Sequence, residues 1–195
     1  MQTEERNNLF PIFLKLDQLE TLIVGGGNVG LEKLTGLLKS SPGVRVTLVA
    51  DRFHPDVRLI AKDFSTVKLV ERKFRNRDLA GKDLLILATD DRKLHERIRV
   101  LARKRRMIIN VADTPELCDF YLGSVVTKGN IKIGISTNGK SPTIAKRMRE
   151  FFEEVLPENT NELLDNMQKI RDRIKGDFRN KVDTLNQITS SWLRR

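Results

Sequence analysis

Three glycines near the start of the chain have the spacing of a phosphate-binding turn. Residues 24–33 read VGGGNVGLEK, so Gly25, Gly27 and Gly30 form the pattern Gly-x-Gly-x-x-Gly. In such a turn the first glycine permits the sharp bend, the second lets the backbone approach a pyrophosphate, and the third allows a helix to pack closely on a strand. The free N–H groups at the start of that helix bind the anion.

The surroundings of this loop favour a dinucleotide site. The loop follows an apolar run at 20–26 and opens a segment at 29–40 whose apolar residues have helical spacing. Asp51 stands 21 residues after Gly30, where an acid is expected to bind the ribose hydroxyls. A carboxylate repels a 2′-phosphate and so favours NAD over NADP, although Arg52 beside it works against that preference. A glycine-rich turn without a ligand is the alternative.

A second loop matches the P-loop pattern of nucleotide hydrolases. Residues 134–141 read GISTNGKS, but Gly134 falls inside a strand-like run and Pro142, just after the loop, has no N–H to offer a phosphate. We favour an anion site at the start of a helix over nucleoside triphosphate hydrolysis. Its candidate donors to carboxylates or phosphates are Ser136, Thr137, Asn138, Lys140 and Ser141. A structural turn that caps a helix over 142–155 is the remaining interpretation.

One carboxylate is placed for catalysis. Asp113 ends a predicted strand at 107–113, and ligands of open α/β sheets bind outside such ends. A carboxylate there can act as a general base or a transient metal ligand, whereas a cap for the turn at Thr114 is the structural alternative. The two histidines lie far apart in sequence and no zinc-like spacing occurs, so no metal site is predicted. The single cysteine, Cys118, is interpreted as a small buried side chain.

The elements that position these residues alternate between strand and helix over the first 113 residues. This alternation predicts a parallel, doubly wound α/β sheet of the Rossmann type. Strands are predicted at 10–16, 20–26, 45–50, 67–73, 83–90 and 107–113, and helices at 29–40, 54–64 and 92–106. Residues 119–137 read as a hairpin that turns at Lys128-Gly129-Asn130. Helices are predicted from 142 onwards, with breaks at Pro157 and Gly176 and a last helix running towards Trp192.

Composition narrows the class of protein. The 195 residues are 39% hydrophobic and 32% charged, as in soluble globular proteins, and the net charge of +10 favours anionic partners. One cysteine permits no internal disulfide, the start MQTEERNN has no apolar core, and the run LLILA at 84–88 is far too short to span a membrane. We therefore predict a cytoplasmic protein without a membrane partner. The basic stretch 92–106 could bind RNA, DNA or an acidic cofactor, or it could be a solvated helix face. No Phe, Tyr or Trp lies between 75 and 119 to stack on bases.

The motifs, taken in order, resemble one family. LFPIFLKL, LIVGGGNVGLEK, VTLVA, LLILATDD, INVADTPELCDF and GISTNGKSPTIAKRMRE resemble precorrin-2 dehydrogenase, which also forms the N-terminal half of siroheme synthases. The resemblance runs from about Leu9 to Glu150. It implies oxidation of precorrin-2 to sirohydrochlorin with NAD and, as in some members, insertion of ferrous iron to make siroheme. The basic surplus would then attract the acetate and propionate arms of the substrate.

The resemblance also assigns residues. It implies that Asn28, Val29, Asp51, Arg52 and Thr89 contact the cofactor, that Asp113 is the catalytic aspartate, and that Thr137 lies near the tetrapyrrole pocket. His95 stands where the family often has Asn. Family members are homodimers, and residues 114–150 match their dimerisation segment.

These observations lead to one main hypothesis and two rivals. The chain is predicted to be a precorrin-2 dehydrogenase with an NAD-binding Rossmann domain at 1–113, a dimerisation segment at 114–150 and a helical domain at 151–195. The first rival is a non-enzymatic sensor that binds NAD(H) and uses its basic helix for nucleic acid, which predicts a steep salt dependence of that binding. The second is a P-loop hydrolase that needs Lys140.

Overall fold

The computed structural model describes residues 6–190. Its strands are β1 (Glu20–Val24), β2 (Arg45–Ala50), β3 (Val67–Glu71), β4 (Leu84–Leu87), β5 (Ile108–Val111), β6 (Ser124–Lys128) and β7 (Ile131–Ile135). Its α-helices are α1 (Asn28–Ser40), α2 (Pro55–Asp63), α3 (Arg92–Lys104), α4 (Pro142–Val155), α5 (Thr160–Arg173) and α6 (Phe178–Thr189). Short 3-10 turns lie at Asn76–Leu79 and Pro115–Leu117.

The larger sheet of the described chain is parallel, with the strand order β3-β2-β1-β4-β5. Its central strand β1 is covered on both faces because alternate residues of a strand point to opposite sides. Leu22 and Val24 pack into one hydrophobic cluster, and Ile23 packs into the other. This explains why the strand is a continuous apolar run in the sequence.

Helices cover both faces of this sheet. Leu34 and Leu37 of α1 and Val57 of α2 belong to the cluster on one face, whereas Ile98 and Ala102 of α3 belong to the cluster on the other. The chain therefore winds outwards from β1 to β3 on one side and returns to β4 beside β1. The direction of winding reverses between β1 and β4, and ligands of such sheets bind at this point. The predicted doubly wound Rossmann-type fold is confirmed.

The strand predicted at 10–16 is wrong. Residues 10–15 form no strand, and the side chains of Phe10 and Phe13 are 86% and 69% exposed. Pro11 has no N–H for a strand ladder, so the apolar run lacks the backbone donor that pairing needs at that position. Only Leu16, at the end of the segment, packs into the core.

The hairpin and helices after residue 123 follow the predicted pattern. β6 and β7 pair antiparallel around the predicted turn, where Gly129 has a φ of 53°. The start of α5 holds this turn, because Asn130 N donates to Asn161 Oδ1 at 2.7 Å and Thr160 Oγ1 donates to the Lys128 carbonyl at 3.0 Å. Helices α4 and α5 are separated at Pro157 and helices α5 and α6 at Gly176. Trp192, towards which the last helix was predicted to run, lies outside the described residues.

The chain divides into two compact units. Within the described residues, one comprises 6–123 with 136–142, and the other comprises 124–135 with 143–190. The division into three parts at 113/114 and 150/151 stays a prediction. Among residues 6–190, no helix has both the length and the apolar character needed to cross a membrane.

Candidate functional site

The glycine loop between β1 and α1 is built so that three glycines meet other backbone. Gly25 has a φ of 121°, and a Cβ added there would lie 2.2 Å from the carbonyl oxygen of Ala88. A Cβ on Gly26 would lie 2.5 Å from the carbonyl oxygen of Arg52, and one on Gly30 would lie 2.3 Å from that of Gly25. These residues must be glycine for the loop to pack against β4 and the end of β2.

Gly27 is different, because a Cβ there would meet no atom of the described chain within 4 Å. Its φ of −81° is open to any residue, so neither packing nor backbone strain explains a glycine at this position. The space in front of it is what a closely approaching ligand needs.

The start of α1 supplies the donors for an anion. Gly27 is the N-cap, and no side chain of the described chain caps the helix. The first turn reads NVGL and contains no acid. The orphan N–H groups of this turn therefore keep their capacity for a phosphate group. Open space at Gly27 and an uncapped helix start together fit a dinucleotide pyrophosphate.

A cleft of about 730 Å³ opens at the same place, between the ends of β1, β2 and β4. It contains five of the eight residues predicted to bind the cofactor: Gly25, Gly27, Asp51, Arg52 and Thr89. The other three belong to the first turn of α1. Asn28 is exposed, Val29 is half-buried against the core, and Gly30 is buried.

Sequence reasoning missed a second wall of this cleft. Its residues follow β3 and β4 or lie on α3, and they are Lys73, Phe74, Asp90, Asp91, Lys93, Leu94 and Arg97. Position at the carboxyl end of the strand predicted at 67–73 was a signal for Lys73 and Phe74. For the residues on α3, spacing was a signal, since Lys93 and Arg97 lie four residues apart on one helix face.

Thr89 is held in the cleft by a buried histidine. Thr89 Oγ1 lies 2.8 Å from His95 Nε2, and His95 is only 3% exposed. Burial lowers the pKa of His95, and the nearby carboxylates of Asp91 and Asp90 oppose that shift without cancelling it. The imidazole is therefore neutral at pH 7 and orients the hydroxyl of Thr89.

The buried imidazole predicts a pH dependence of stability. A folded-state pKa below the unfolded value means that the unfolded chain binds the proton more tightly. The free energy of unfolding should therefore be independent of this group well above about pH 6.5 and should fall as the pH drops below that value. We expect His95→Gln, which places an amide nitrogen near Nε2, to flatten this decline. Urea unfolding of the wild type and of His95→Gln between about pH 5 and 8 gives the free energy of unfolding at each pH. If the free energy of unfolding falls equally with pH in the two proteins, the buried imidazole of His95 is not the cause of the decline.

Asp113 lies at the tip of a tight turn after β5. Its φ is 55°, in the left-handed region, and its side chain is exposed. Its carboxylate makes no hydrogen bond or ion pair within the described residues, so it does not serve as the predicted alternative, a turn cap. The turn is held by others: Ala112 N donates to the Leu87 carbonyl at 2.9 Å, and Thr114 Oγ1 donates to the Ala112 carbonyl at 3.2 Å.

Cys118 helps to fold the chain back along β5. Val111 N donates to its sulfur at 3.2 Å, and the thiol donates to the Val111 carbonyl at 3.2 Å. Burial raises the pKa of the Cys118 thiol, so the thiolate needed for a nucleophile is scarce at neutral pH. Within residues 6–190, no cluster of three or more His, Cys, Asp and Glu side chains could hold a metal ion.

The loop that resembles a P-loop uses its own backbone donors. Asn138 N donates to Ser136 Oγ at 3.2 Å, Lys140 N donates to the Thr137 carbonyl at 3.0 Å, and Ser141 N donates to Thr137 Oγ1 at 3.3 Å. In a P-loop such N–H groups face the phosphates. Gly134 also lies inside β7, a strand of the antiparallel hairpin. The loop is therefore a self-contained turn with exposed Asn138 and Lys140 side chains rather than a phosphate cradle.

The three groups of predicted site residues lie in three places. The cofactor residues surround the cleft at β1, β2 and β4, Asp113 follows β5, and the predicted substrate residues Thr137, Asn138, Lys140 and Ser141 lie on the loop before α4. All three places belong to the same compact unit. The roles assigned to these residues stay predictions.

Two family models match the chain. Residues 12–124 match the family described as "Putative NAD(P)-binding", which covers the whole parallel sheet. Residues 128–154 match the family described as "Sirohaem biosynthesis protein central". The second match contains β7 and nearly all of α4.

The chain is also similar to curated siroheme synthases and to a solved precorrin-2 dehydrogenase. The chain is 33% identical over 187 residues to a siroheme synthase of Psychrobacter arcticus and 35% identical over 165 residues to that of Methylococcus capsulatus, covering 96% and 85% of this chain. It spans about a third of the length of these relatives. A solved structure of SirC, precorrin-2 dehydrogenase, covers 92% of this chain and 89% of its own with a TM-score of 0.70 at 21% identity, and so shares the fold.

The resemblance found in the sequence motifs is thus confirmed. The family match spans more than half of the chain and contains the glycine loop, the cleft and Asp113. The chain belongs to the NAD(P)-binding family represented in siroheme synthases.

Proposed function

We propose that this protein oxidises precorrin-2 to sirohydrochlorin with NAD as the oxidant. The observation that carries the proposal is the loop at Gly27, where open space and an uncapped helix meet at the reversal point of the sheet. The similarity to siroheme synthases and to a precorrin-2 dehydrogenase supports the choice of substrate. The net charge of +10 agrees with a polycarboxylate substrate.

Each part of the site has a proposed role. The first turn of α1 and the backbone at Gly27 would hold the pyrophosphate, and Asp51 would bind the adenosine ribose. Thr89, held by His95, would orient the cofactor from the end of β4. Bound NAD supplies the acceptor for the hydride that the substrate loses. Asp113 would take up the accompanying proton, and the loop at 136–141 would bind carboxylates of the macrocycle.

Turnover tests the proposal directly. Purified protein is mixed with enzymatically generated precorrin-2 and NAD, and the absorbances of NADH and sirohydrochlorin are followed together. We expect the two products to appear at equal rates, since one hydride leaves each substrate molecule. Absence of both products with either NAD or NADP would overturn the proposal.

Insertion of ferrous iron into sirohydrochlorin is a second proposed activity. The exposed carboxylate of Asp113 makes no hydrogen bond or ion pair within the described residues. It supports this activity because a carboxylate can accept the pyrrole protons that iron displaces. Ferrous iron is added to the completed dehydrogenase reaction, and siroheme is followed by its absorbance. Siroheme formation no faster than without protein would contradict this activity.

We also propose a homodimer, supported by an apolar stripe on α4. Met148, Phe151 and Val155 are 40%, 53% and 60% exposed and follow one another at spacings of three and four residues. Such spacing places them on one face of the helix, as in helices that pack against a partner. Isolated exposed apolar residues are ordinary, but a continuous helical stripe is typical of an interface.

A charge in this stripe should separate the subunits. We expect Phe151→Asp to weaken dimerisation by about a hundredfold or more, because association would bury an unpaired carboxylate. Sedimentation velocity over a range of concentrations measures the change. Lys169→Asp, an exposed position on α5, is the control and should leave the dimer intact. A monomeric wild-type protein, or an unchanged Phe151→Asp dimer, would contradict the assignment of this face.

A further inference from the structure

Four basic side chains line the dinucleotide cleft without a partner. They are Arg52, Lys73, Lys93 and Arg97, and none makes a side-chain hydrogen bond or ion pair with any residue of 6–190. Their neighbours in sequence behave differently. Arg72 forms two hydrogen bonds to Asp78, at 2.8 and 2.6 Å, and Arg92 pairs with Glu96 and Glu116. The fold therefore pairs the cations beside the cleft and leaves those inside it available for a ligand.

Arg52 and Lys73 follow the two strands at which a dinucleotide fold holds the adenosine half of its ligand. Arg52 comes directly after Asp51 at the end of β2, where the fold places the adenosine ribose, and Lys73 follows the adjacent strand β3. Phe74 and Leu94 line the same cleft and are half-buried, which gives an apolar surface suited to a purine base. Lys93 and Arg97 flank Leu94 on α3.

The charge balance of the cleft favours an additional anion. Its lining has four basic residues and three acidic ones, Asp51, Asp90 and Asp91. Asp91 is already engaged, since its carboxylate accepts the N–H of Leu94 and caps α3 at 2.9 Å. Asp51 opposes a phosphate on the ribose, but an arginine near this position accommodates a 2′-phosphate in dinucleotide-binding folds. Arg52 and Lys73 follow the ends of β2 and β3, where a positive charge can offset the repulsion between the Asp51 carboxylate and a 2′-phosphate.

We propose that Arg52 and Lys73, assisted by Lys93 and Arg97, form a subsite for a phosphate on the 2′ position of the adenosine ribose. The cleft would then accept NADP as well as NAD, so the carboxylate of Asp51 does not by itself set the cofactor preference. This inference rests on the proposed function only in placing the adenosine end of a dinucleotide in this cleft.

Small adenosine phosphates test the subsite without any turnover. Isothermal titration calorimetry compares adenosine 5′-monophosphate, adenosine 2′,5′-bisphosphate and adenosine 3′,5′-bisphosphate. We expect the 2′,5′-bisphosphate to bind at least about tenfold more tightly than the monophosphate, and more tightly than the 3′,5′ isomer of equal charge. In the variant Arg52→Ala/Lys73→Ala, the advantage of the 2′,5′ isomer should fall to less than about threefold.

Lys62→Ala, an exposed lysine of α2 outside the cleft, is the matched control and should retain the advantage. Equal binding of the two bisphosphates would mean unspecific attraction and would overturn the subsite. A 2′,5′ advantage that survives in the double variant would also overturn it. If the double variant instead loses affinity only for sirohydrochlorin, the cations serve the carboxylates of the tetrapyrrole and the proposal is wrong. Failure of precorrin-2 turnover would leave these binding results unaffected, so the two proposals fail independently.

Discussion

Replacing Asp113 by Asn is expected to reduce the rate of precorrin-2 oxidation by about a hundredfold or more. The carboxylate would be the group that takes the substrate proton, and an amide cannot do so. Asparagine is the appropriate replacement because residue 113 has a φ of 55°, a conformation that Asn adopts readily and Ala does not. The side chain is exposed and makes no hydrogen bond or ion pair within the described residues, so the free energy of unfolding should change by less than about 0.5 kcal/mol.

Two measurements separate catalysis from folding and binding in this variant. The dissociation constant of NAD, measured by calorimetry, should equal that of the wild type, because Asp113 is not part of the cofactor cleft. Asp63→Asn, an exposed aspartate at the end of α2, is the control and should keep full activity. Wild-type turnover by Asp113→Asn would remove Asp113 from the mechanism while leaving the dinucleotide site untouched.

The cofactor loop could be predicted from sequence because its determinants are local. The strand, the three spaced glycines and the start of the helix all lie within residues 20–30. Gly25 and Gly30 are required because other backbone lies close to them, and Gly27 leaves open space for a ligand. Asp51 was found by its distance along the chain, which works because only one helix, one short connection and strand β2 separate it from the loop. The structure then shows that Gly26, outside the pattern, is equally constrained by the carbonyl of Arg52.

The second wall of the cleft could not be predicted, because tertiary structure brings it together. Lys73 and Phe74 follow β3, whereas Leu94 lies on α3, the helix after β4. Only the strand order places β3 and β4 on either side of β1. A run of basic residues at 92–106 does not reveal which of its members face a ligand and which, like Arg99 beside Asp119, serve the fold. The structure separates the two groups, because within residues 6–190 the basic residues that serve the fold are paired with acidic side chains and those that line the cleft are not.

The wrong strand at 10–16 has a related cause. Its composition favours a strand, but a strand exists only where another backbone pairs with it.

The P-loop pattern is a sequence match whose backbone geometry does not follow. Eight residues matched a motif letter for letter, but the N–H groups that the motif should present are used by Ser136 and Thr137 within the loop. In both segments the outcome depends on which groups the backbone N–H and C=O groups bond to, and residue types alone do not give those partners.

Two alanine substitutions in the glycine loop should have opposite consequences, and together they test the site most stringently. Gly25→Ala would force a Cβ to within 2.2 Å of the Ala88 carbonyl at a φ of 121°. We expect it to destabilise the protein by about 2–5 kcal/mol, because neither the loop nor β4 can move without breaking the sheet. Thermal and urea unfolding measure this loss, and a stability within about 1 kcal/mol of wild type would contradict the described loop.

Gly27→Ala should instead fold normally and fail to bind the cofactor. Its φ of −81° suits alanine, and the added methyl meets no atom of the described chain within 4 Å. The methyl would occupy the space through which a pyrophosphate approaches the backbone, so the affinity for NAD should fall by about tenfold or more. Calorimetric titration with NAD, beside an unfolding curve that matches wild type, gives the result. Unchanged affinity would show that the dinucleotide does not lie against Gly27, whereas lost affinity at full stability assigns that open space to the ligand.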